Sequence, residues 1–455
     1  MFHKKTLSFL LLLSLCGAAR LRAQSTCPAN NPVTVVNTAN AGTGSLRWAI
    51  DCINTFVPLT TVEFNIPGPA IKIIQPLSAL PNITKSNALI DGNTQSVIVD
   101  GASTSANGLT LGGSNIIVRG LYIRGFKSAA GAVSGIQIIS GTGNRIEGNR
   151  VSDNFTGIGT GTGVTNFAIV DNIIGLNASG DASGNLMNGI TVGGPPANAV
   201  ISGNTIAYSG GAGVSALVSG TLLISDNSMY CNTADGINRN GGPAVPVITQ
   251  ANTQKITGTA AAGRVIEVFQ HNTTGCTGTI PCQGRTLLGA VTTPASGPWV
   301  LNLPTGSLPA GAQVTATSSQ NGNNTSGFSD CVATADCGAL SVNMTTNEVS
   351  CFGGSNGSAT ASGSGGPPTA GYTYIWNTNA ATPTISNLIP GNYTVTVTAV
   401  GNGCTATEIA TITAPTPVVA SISTTNISCA GGSNGSATAS GSGGTPGAGY
   451  TFNWS

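Results

Sequence analysis

Charge is scarce in this sequence. Its 455 residues hold 16 Lys and Arg and 15 Asp and Glu, and no basic residue follows Arg285. A nucleic-acid-binding surface needs clustered cations, so that class is excluded. Histidine is nearly absent: after His3 only His271 remains. Zinc sites built on Cys and His spacing therefore have no material, and no cofactor or metal is expected. Long apolar runs are also lacking. Only Leu7–Leu15 qualifies, too short to span a bilayer, and it follows Lys4 and Lys5 and precedes a small-residue cleavage point at Ala23-Gln24. Residues 1–23 therefore read as a secretory signal peptide. Cys16 follows Leu15, where lipid-attachment sites want a small residue. Removing the signal leaves 12 Lys and Arg against 15 Asp and Glu.

What the chain does have is Gly, Asn, Thr and Ser interleaved with Val, Ile and Leu, an all-β composition. In residues 24–242 the segments NRIEGNRV, FAIVDNII, AVISGNTI and LLISDNSM recur. They align Ile146, Ile169, Ile201 and Ile224, then Asn149, Asn172, Asn204 and Asn227, then Val151, Ile174, Ile206 and Met229. The Asn spacings are 23, 32 and 23 residues, the long interval holding an extra loop, LNASGDASGN, from Leu176 to Asn185. A further apolar column follows glycine at Ile136, Ile158, Ile190, Val214 and Ile237. A period of this size with short strands predicts the coils of a parallel β-helix. Stacking at the sheet spacing, about 4.8 Å, puts like residues above like. The Ile columns fill the interior, and the Asn column forms an amide ladder. Upstream, Leu46, Ile50 and Ile53 have helical spacing and predict a short helix covering the open first coil.

Residues 243–338 carry turn signals every 8 to 12 residues, with Trp299, Leu301 and Leu303 alternating with polar residues. This predicts a small antiparallel sandwich. Residues 339–417 and 418–455 are two copies of one unit: Ser350–Trp376 and Ser428–Trp454 match at 22 of 27 positions, 78 residues apart. Tyr393, Val395 and Val397 predict a half-buried strand, and Gly401-Asn402-Gly403 a hairpin. The second copy lacks counterparts of Tyr393 to Ile412. It is expected to be loosely held, in a chain that is a piece of something longer.

An exported chain permits disulfides. Sequence proximity suggests Cys276 with Cys282 and Cys331 with Cys337; Cys27 with Cys52 makes a third pair, and Cys351 with Cys404, at opposite ends of the first repeat, a cross-link of that unit. Cys231 has no obvious partner. For catalysis, Asp171 and Asp226 share a register two coils apart, roughly 9.6 Å by the sheet spacing, at the upper edge for an inverting pair. Asp before Asn is also ordinary turn chemistry. Asp153 and Asp181 lie elsewhere on turns, and Arg119 stacks near Glu147. Tyr372, Tyr374 and Trp376 are candidates to face a ligand, with a core role as the competing reading.

Three resemblances follow. VTVVNTANAGTGSLRWAIDCIN with VEFNIPG, IKIIQP and LPNIT resembles the opening of bacterial exported right-handed parallel β-helix proteins. ITGTAAAGRVIEVF, GPWVLNLP and NTSGFSDC resemble an immunoglobulin-like module. VSCFGGSNGSATASGSGG with GYTYIWN, ISNLIPGNYTVTVT and NGCTATE closely resembles the SprB-type repeat of very large adhesins in gliding Gram-negative bacteria. That last resemblance implies a secreted or cell-surface location, export by the type IX route, and outer-membrane attachment through a C-terminal region absent here. It also implies an extracellular polysaccharide or surface as partner. The function expected is a non-catalytic adhesin with a β-helix display body and a repeat stalk. The alternatives are a β-helix polysaccharide lyase or hydrolase, and a passive surface scaffold.

Overall fold

The computed structural model describes residues 27–455 apart from 103, 129–130, 132, 218, 295–297, 305, 321–322, 339, 367, 446 and 448. The signal segment and Cys16 lie outside the described residues. Two compact units form. The first is the chain up to Thr249 with Ile256–Asn302 and Ala312–Ala333; the second is Gln250–Lys255, Leu303–Gly311 and Thr334–Ser455.

The first unit opens as a parallel β-helix of about eight turns with three faces of eight, seven and six strands. One face runs from Val33–Val35 to Leu222–Ser225, the second from Lys72–Ile74 to Ser228–Tyr230, the third from Leu109–Leu111 to Ile237–Arg239. Ile146 pairs with Ile169, Ile169 with Ile201 and Ile201 with Ile224. Val151, Ile174, Ile206 and Met229 form the matching column on the second face. Ile136, Ile158, Ile190, Val214 and Ile237 do so on the third. All of these side chains are buried. A buried aliphatic side chain contributes about 1.5–3 kcal/mol by transfer alone.

Helix α1, Leu46–Thr55, is capped by the Ser45 hydroxyl, which accepts from the Trp48 N–H. It buries Leu46, Ala49, Ile50, Cys52 and Ile53, and Cys52 is bonded to Cys27. Its apolar face lies in the same core as Val33, Val35 and Val62 of the first coils, where an uncovered end would expose that core.

Coil corners are set by residues in the left-handed region. Gly148, Asp171, Gly203 and Asp226 have φ of 60°, 55°, 69° and 55°. Each precedes a ladder asparagine. The backbone N–H of Asn149 donates to Asn172 Oδ1 (2.9 Å), that of Asn172 to Asn204 Oδ1 (2.9 Å), and that of Asn204 to Asn227 Oδ1 (3.0 Å). Each Nδ2 in turn donates to backbone carbonyls; that of Asn172 reaches Ile146 O and Val170 O, both at 2.9 Å. Every buried amide atom is thereby used.

A second ladder, not read from the sequence, runs along the next corner. The Phe126 N–H donates to Asn154 Oδ1, the Asn154 N–H to Asn185 Oδ1, and the Ser209 N–H to Asn232 Oδ1, each at 3.1 Å. This ladder explains the glycine column. A Cβ at Gly135, Gly157 or Gly213 would come within 2.8–3.1 Å of the Nδ2 of Asn154, Asn185 or Asn232. At Ser209 the ladder breaks, leaving Asn185 Nδ2 and Ser209 Oγ buried without partners.

The antiparallel sheets that follow belong to the same compact unit. Arg264–His271 lies between Thr286–Thr292 and Gln313–Gln320. In the second unit, two three-stranded sheets share a core that includes Val349, Trp376, Val395, Val397 and Ile412. Gly391–Ala399 and Thr405–Ile412 pair as a hairpin, with Gly401 and Gly403 at φ 100° and 66° in its turn. Val419–Thr425 and Ser436–Ser442 form the hairpin of the second copy.

Two substitutions test the ladders. Asn172→Ala takes the side-chain partner from three backbone groups, the Asn149 N–H and the Ile146 and Val170 carbonyls, and should destabilise the first unit by about 2–4 kcal/mol in urea unfolding. Ser209→Asn should instead stabilise it, by about 1 kcal/mol, because it gives Asn185 an acceptor and Gly189 already leaves the space.

Candidate functional site

The last coil of a β-helix has N–H groups with no coil beyond to receive them. Here the antiparallel segment supplies the acceptors. Thr325 Oγ1 takes the Ile224 N–H at 2.9 Å, and Gly284 O takes the Met229 N–H at 2.7 Å. Both carboxylate oxygens of Glu267 lie 3.3 Å from the Asp226 nitrogen. Gln283, fully buried, prolongs the second ladder. Its Oε1 accepts from Asn232 N and Nδ2 at 3.2 and 2.9 Å, and its Nε2 donates to Asn232 O and Ala234 O at 2.6 and 2.9 Å. Arg239 donates to Leu222 O, Gly220 O, Thr325 O and Asn324 Oδ1. With no carboxylate beside it, burial pushes its guanidinium down to about 10, still charged at neutral pH.

The disulfides follow this docking. Cys231, at φ 55° in a coil corner, is bonded to Cys276, and Cys282 to Cys331. The expected pairs Cys276–Cys282 and Cys331–Cys337 are corrected: proximity in sequence did not register that the loop folds onto the last coil. Cys404 is bonded to Cys337, with which it is buried beside Ala399. The expected Cys351–Cys404 bridge is corrected too, since Cys351 is exposed and free.

On the flank of the β-helix a polar groove of about 500 Å³ is lined by Asp100, Tyr122, Arg124, Lys127, Asp153 and Asn177. Strand alternation aims Asp100, Tyr122 and Arg124 away from the interior: Asp100 pairs in register with Arg124 and Arg124 with Ser152, while the intervening Ile123 points into the core. Arg124 Nε and Nη2 both lie 2.9 Å from Asp100 Oδ2. Lys127 Nζ lies 2.5 Å from Asp153 Oδ1. The Arg124 guanidinium sits 5.6 Å from the Tyr122 ring centroid, and the Tyr122 hydroxyl shares a hydrogen bond of 3.0 Å with Ser152. One wall is the inserted loop, which Arg150 pins by donating to Asn177 O at 2.6 Å. A second cavity, about 280 Å³, continues past Tyr122 over Ile98, Leu121 and Arg150. The result is an elongated track in which Arg124 and Lys127 each face a carboxylate, while Arg150 is turned to the loop carbonyls of Leu176 and Asn177.

The other sequence candidates do not converge. Asp171 and Asp226 are exposed corner residues with Gly203 on the coil between them. Asp181 closes the inserted loop on Asn177. Arg119 bridges Asp91 at 2.6 Å and Glu147 at 3.9 Å, and its hydrogen bond to Asp91 lowers that carboxyl. Trp376 is 1% exposed and donates to Thr382 O, so it is core and corrected as a ligand-facing residue. Tyr372 and Tyr374 are half-buried against the same core.

A family model described as the SprB repeat matches residues 343–381 and 421–455. No curated protein matches the chain. Among solved structures, the enzymatically active domain of tailspike protein 2 of bacteriophage CBA120 aligns at 10% identity, over 80% of this chain and 73% of that one, with a TM-score of 0.21. The SprB repeats suggest a cell-surface, adhesin-like protein. No helix among the described residues is long and apolar enough to cross a membrane.

The cap gives a pH dependence. Burial, then the nearby Asp226 charge, push the Glu267 carboxyl up to about 7 from an ordinary 4.5. Between those values the folded chain holds more protons than the unfolded one, so stability falls as pH rises, by about 3 kcal/mol across the window. Thermal unfolding of the first unit from pH 4.5 to 8 should show this decline, and Glu267→Gln should flatten it.

Proposed function

We propose that this chain is an exported adhesin-like protein whose β-helix presents an elongated track for an extracellular polysaccharide, with the repeats as its stalk. The observation that carries the reading is the pairing of the groove's carboxylates. Asp100 is held by Arg124 and Asp153 by Lys127. A carboxylate committed to an ion pair is aimed at its cation, whereas general acid–base work needs it aimed at the reacting group. The same paired charges suit a binder, since each pair offers a sugar diol both donors and acceptors beside the Tyr122 ring. The four charged groups of the larger groove sum to zero, so an uncharged polysaccharide fits there better than an acidic one, and attraction at long range contributes little; Arg150 in the second cavity is engaged by loop carbonyls. The match to the SprB repeat supports the surface location.

Screening the full chain on immobilised neutral glycans should find a ligand. Tyr122→Ala and Arg124→Ala should each weaken its binding at least tenfold, while the Asp171→Asn/Asp226→Asn double variant should bind as before. Undiminished binding by Tyr122→Ala would remove the groove from the account. Release of oligosaccharides from the bound polymer would replace the adhesin with an enzyme.

A further inference from the structure

The two repeats adopt one conformation as far as the second extends. Ser341–Asn347 pairs with Gly357–Ser364 in the register that Val419–Thr425 and Ser436–Ser442 repeat 78 positions later. The Tyr372 hydroxyl donates to Gly365 O, and the Tyr450 hydroxyl to Gly443 O. The Ser350 and Ser428 N–H groups donate to Asn356 and Asn434. What differs is burial. Val349 is 2% and Trp376 1% exposed, whereas their counterparts Ile427 and Trp454 are 49% and 55% exposed. In the first copy Val349 shares a core with the sheet formed by Tyr372–Trp376, Gly391–Ala399 and Thr405–Ile412, in which Trp376 ends the first strand.

The first copy also shows which cysteine such a hairpin brings. Cys404, just before Thr405–Ile412, packs with Cys337 beside Leu340 and Tyr372 and is bonded to Cys337. In the second copy the counterparts of Cys337, Leu340 and Tyr372 are Pro415, Val418 and Tyr450. These three line one cavity of about 390 Å³, and Cys351 lines it with them. Proline stands where the bonding cysteine stood, and a free, exposed thiol from the preceding copy lies beside it.

We infer that this surface receives a β-hairpin of the Asn377–Thr413 type, and that Cys351 forms a disulfide with the cysteine at the Cys404 position of that hairpin, stapling one repeat to the next. Cys337 serves the first copy; Cys351 serves the second in the same way. Cys429, the counterpart of Cys351, is equally free in the structure but does not line this cavity.

A thiol exchange tests this. The full chain is mixed with a synthetic peptide of residues 377–413 whose cysteine carries glutathione as a mixed disulfide. The Cys351 thiolate attacks the peptide sulfur, the new S–S bond forms, and glutathione thiolate departs and takes up a proton. Peptide mapping by mass spectrometry should find the peptide on Cys351 at least tenfold over Cys429, and at least tenfold over a scrambled peptide. Equal labelling of the two cysteines, or no excess over the scrambled sequence, overturns the proposal. In a second arm, residues 377–413 are fused after Trp454 and oxidised with glutathione disulfide, two thiols yielding one S–S bond and two reduced glutathiones. Cys351 should link to the added cysteine while Cys337–Cys404 persists. A Cys351–Cys429 link, or an alkylatable Cys351, overturns it.

Discussion

A hydrogen-bond donor that only the next coil can satisfy is the constraint on which this structure depends. Each corner amide from Asn149 to Asn204 is answered one layer further on. The rule repeats without end unless something breaks it, and an unbroken ladder is an open edge that invites association with another chain. The fold terminates it chemically as well as sterically. Gln283 offers the same amide as asparagine on a stem one methylene longer, delivered from a loop outside the coil path. Thr325, Glu267 and Gly284 answer the remaining donors. Helix α1 closes the opposite end by burying apolar residues.

This termination changes the meaning of the segment after residue 242. Read from the sequence, it is a small antiparallel sandwich separate from the coils. In the structure, its loop and strand ends complete the solenoid, and Cys231–Cys276 ties them covalently. Phe328 also packs against the solenoid core. Removing the segment would therefore expose the amides of Asn232 and the carbonyls around Arg239, so the β-helix is not expected to persist without it.

The coil architecture was legible in the sequence because it is periodic. Like residues stack on like, and the columns from Ile146 to Ile224 and from Ile136 to Ile237 follow from alignment alone. The second ladder was legible in principle, since Asn154 and Asn232 sit five positions after Asn149 and Asn227, but Ser209 interrupts it and hid the pattern. The Cys27–Cys52 pair was legible; the cap and the three later disulfides were not. The disulfides join residues 45 to 67 apart and the cap contacts join residues 41 to 101 apart, with no repeat to announce them. The groove lay between. Arg124 and Asp153 are visible as charged residues in a sparsely charged chain, but their convergence depends on coil stacking and on the wall built by the loop at Asn177.

The inserted loop carries a wider consequence. It leaves the coil after Ile174 and returns before Ile190 without disturbing either stacked column. Shape on the flank and integrity of the core are thus encoded in separate residues. A lineage can exchange such excursions, or add and delete whole 23-residue layers, while keeping the same two ends. Ligand preference and rod length are then free to drift independently, as interchangeable parts on a standard spindle.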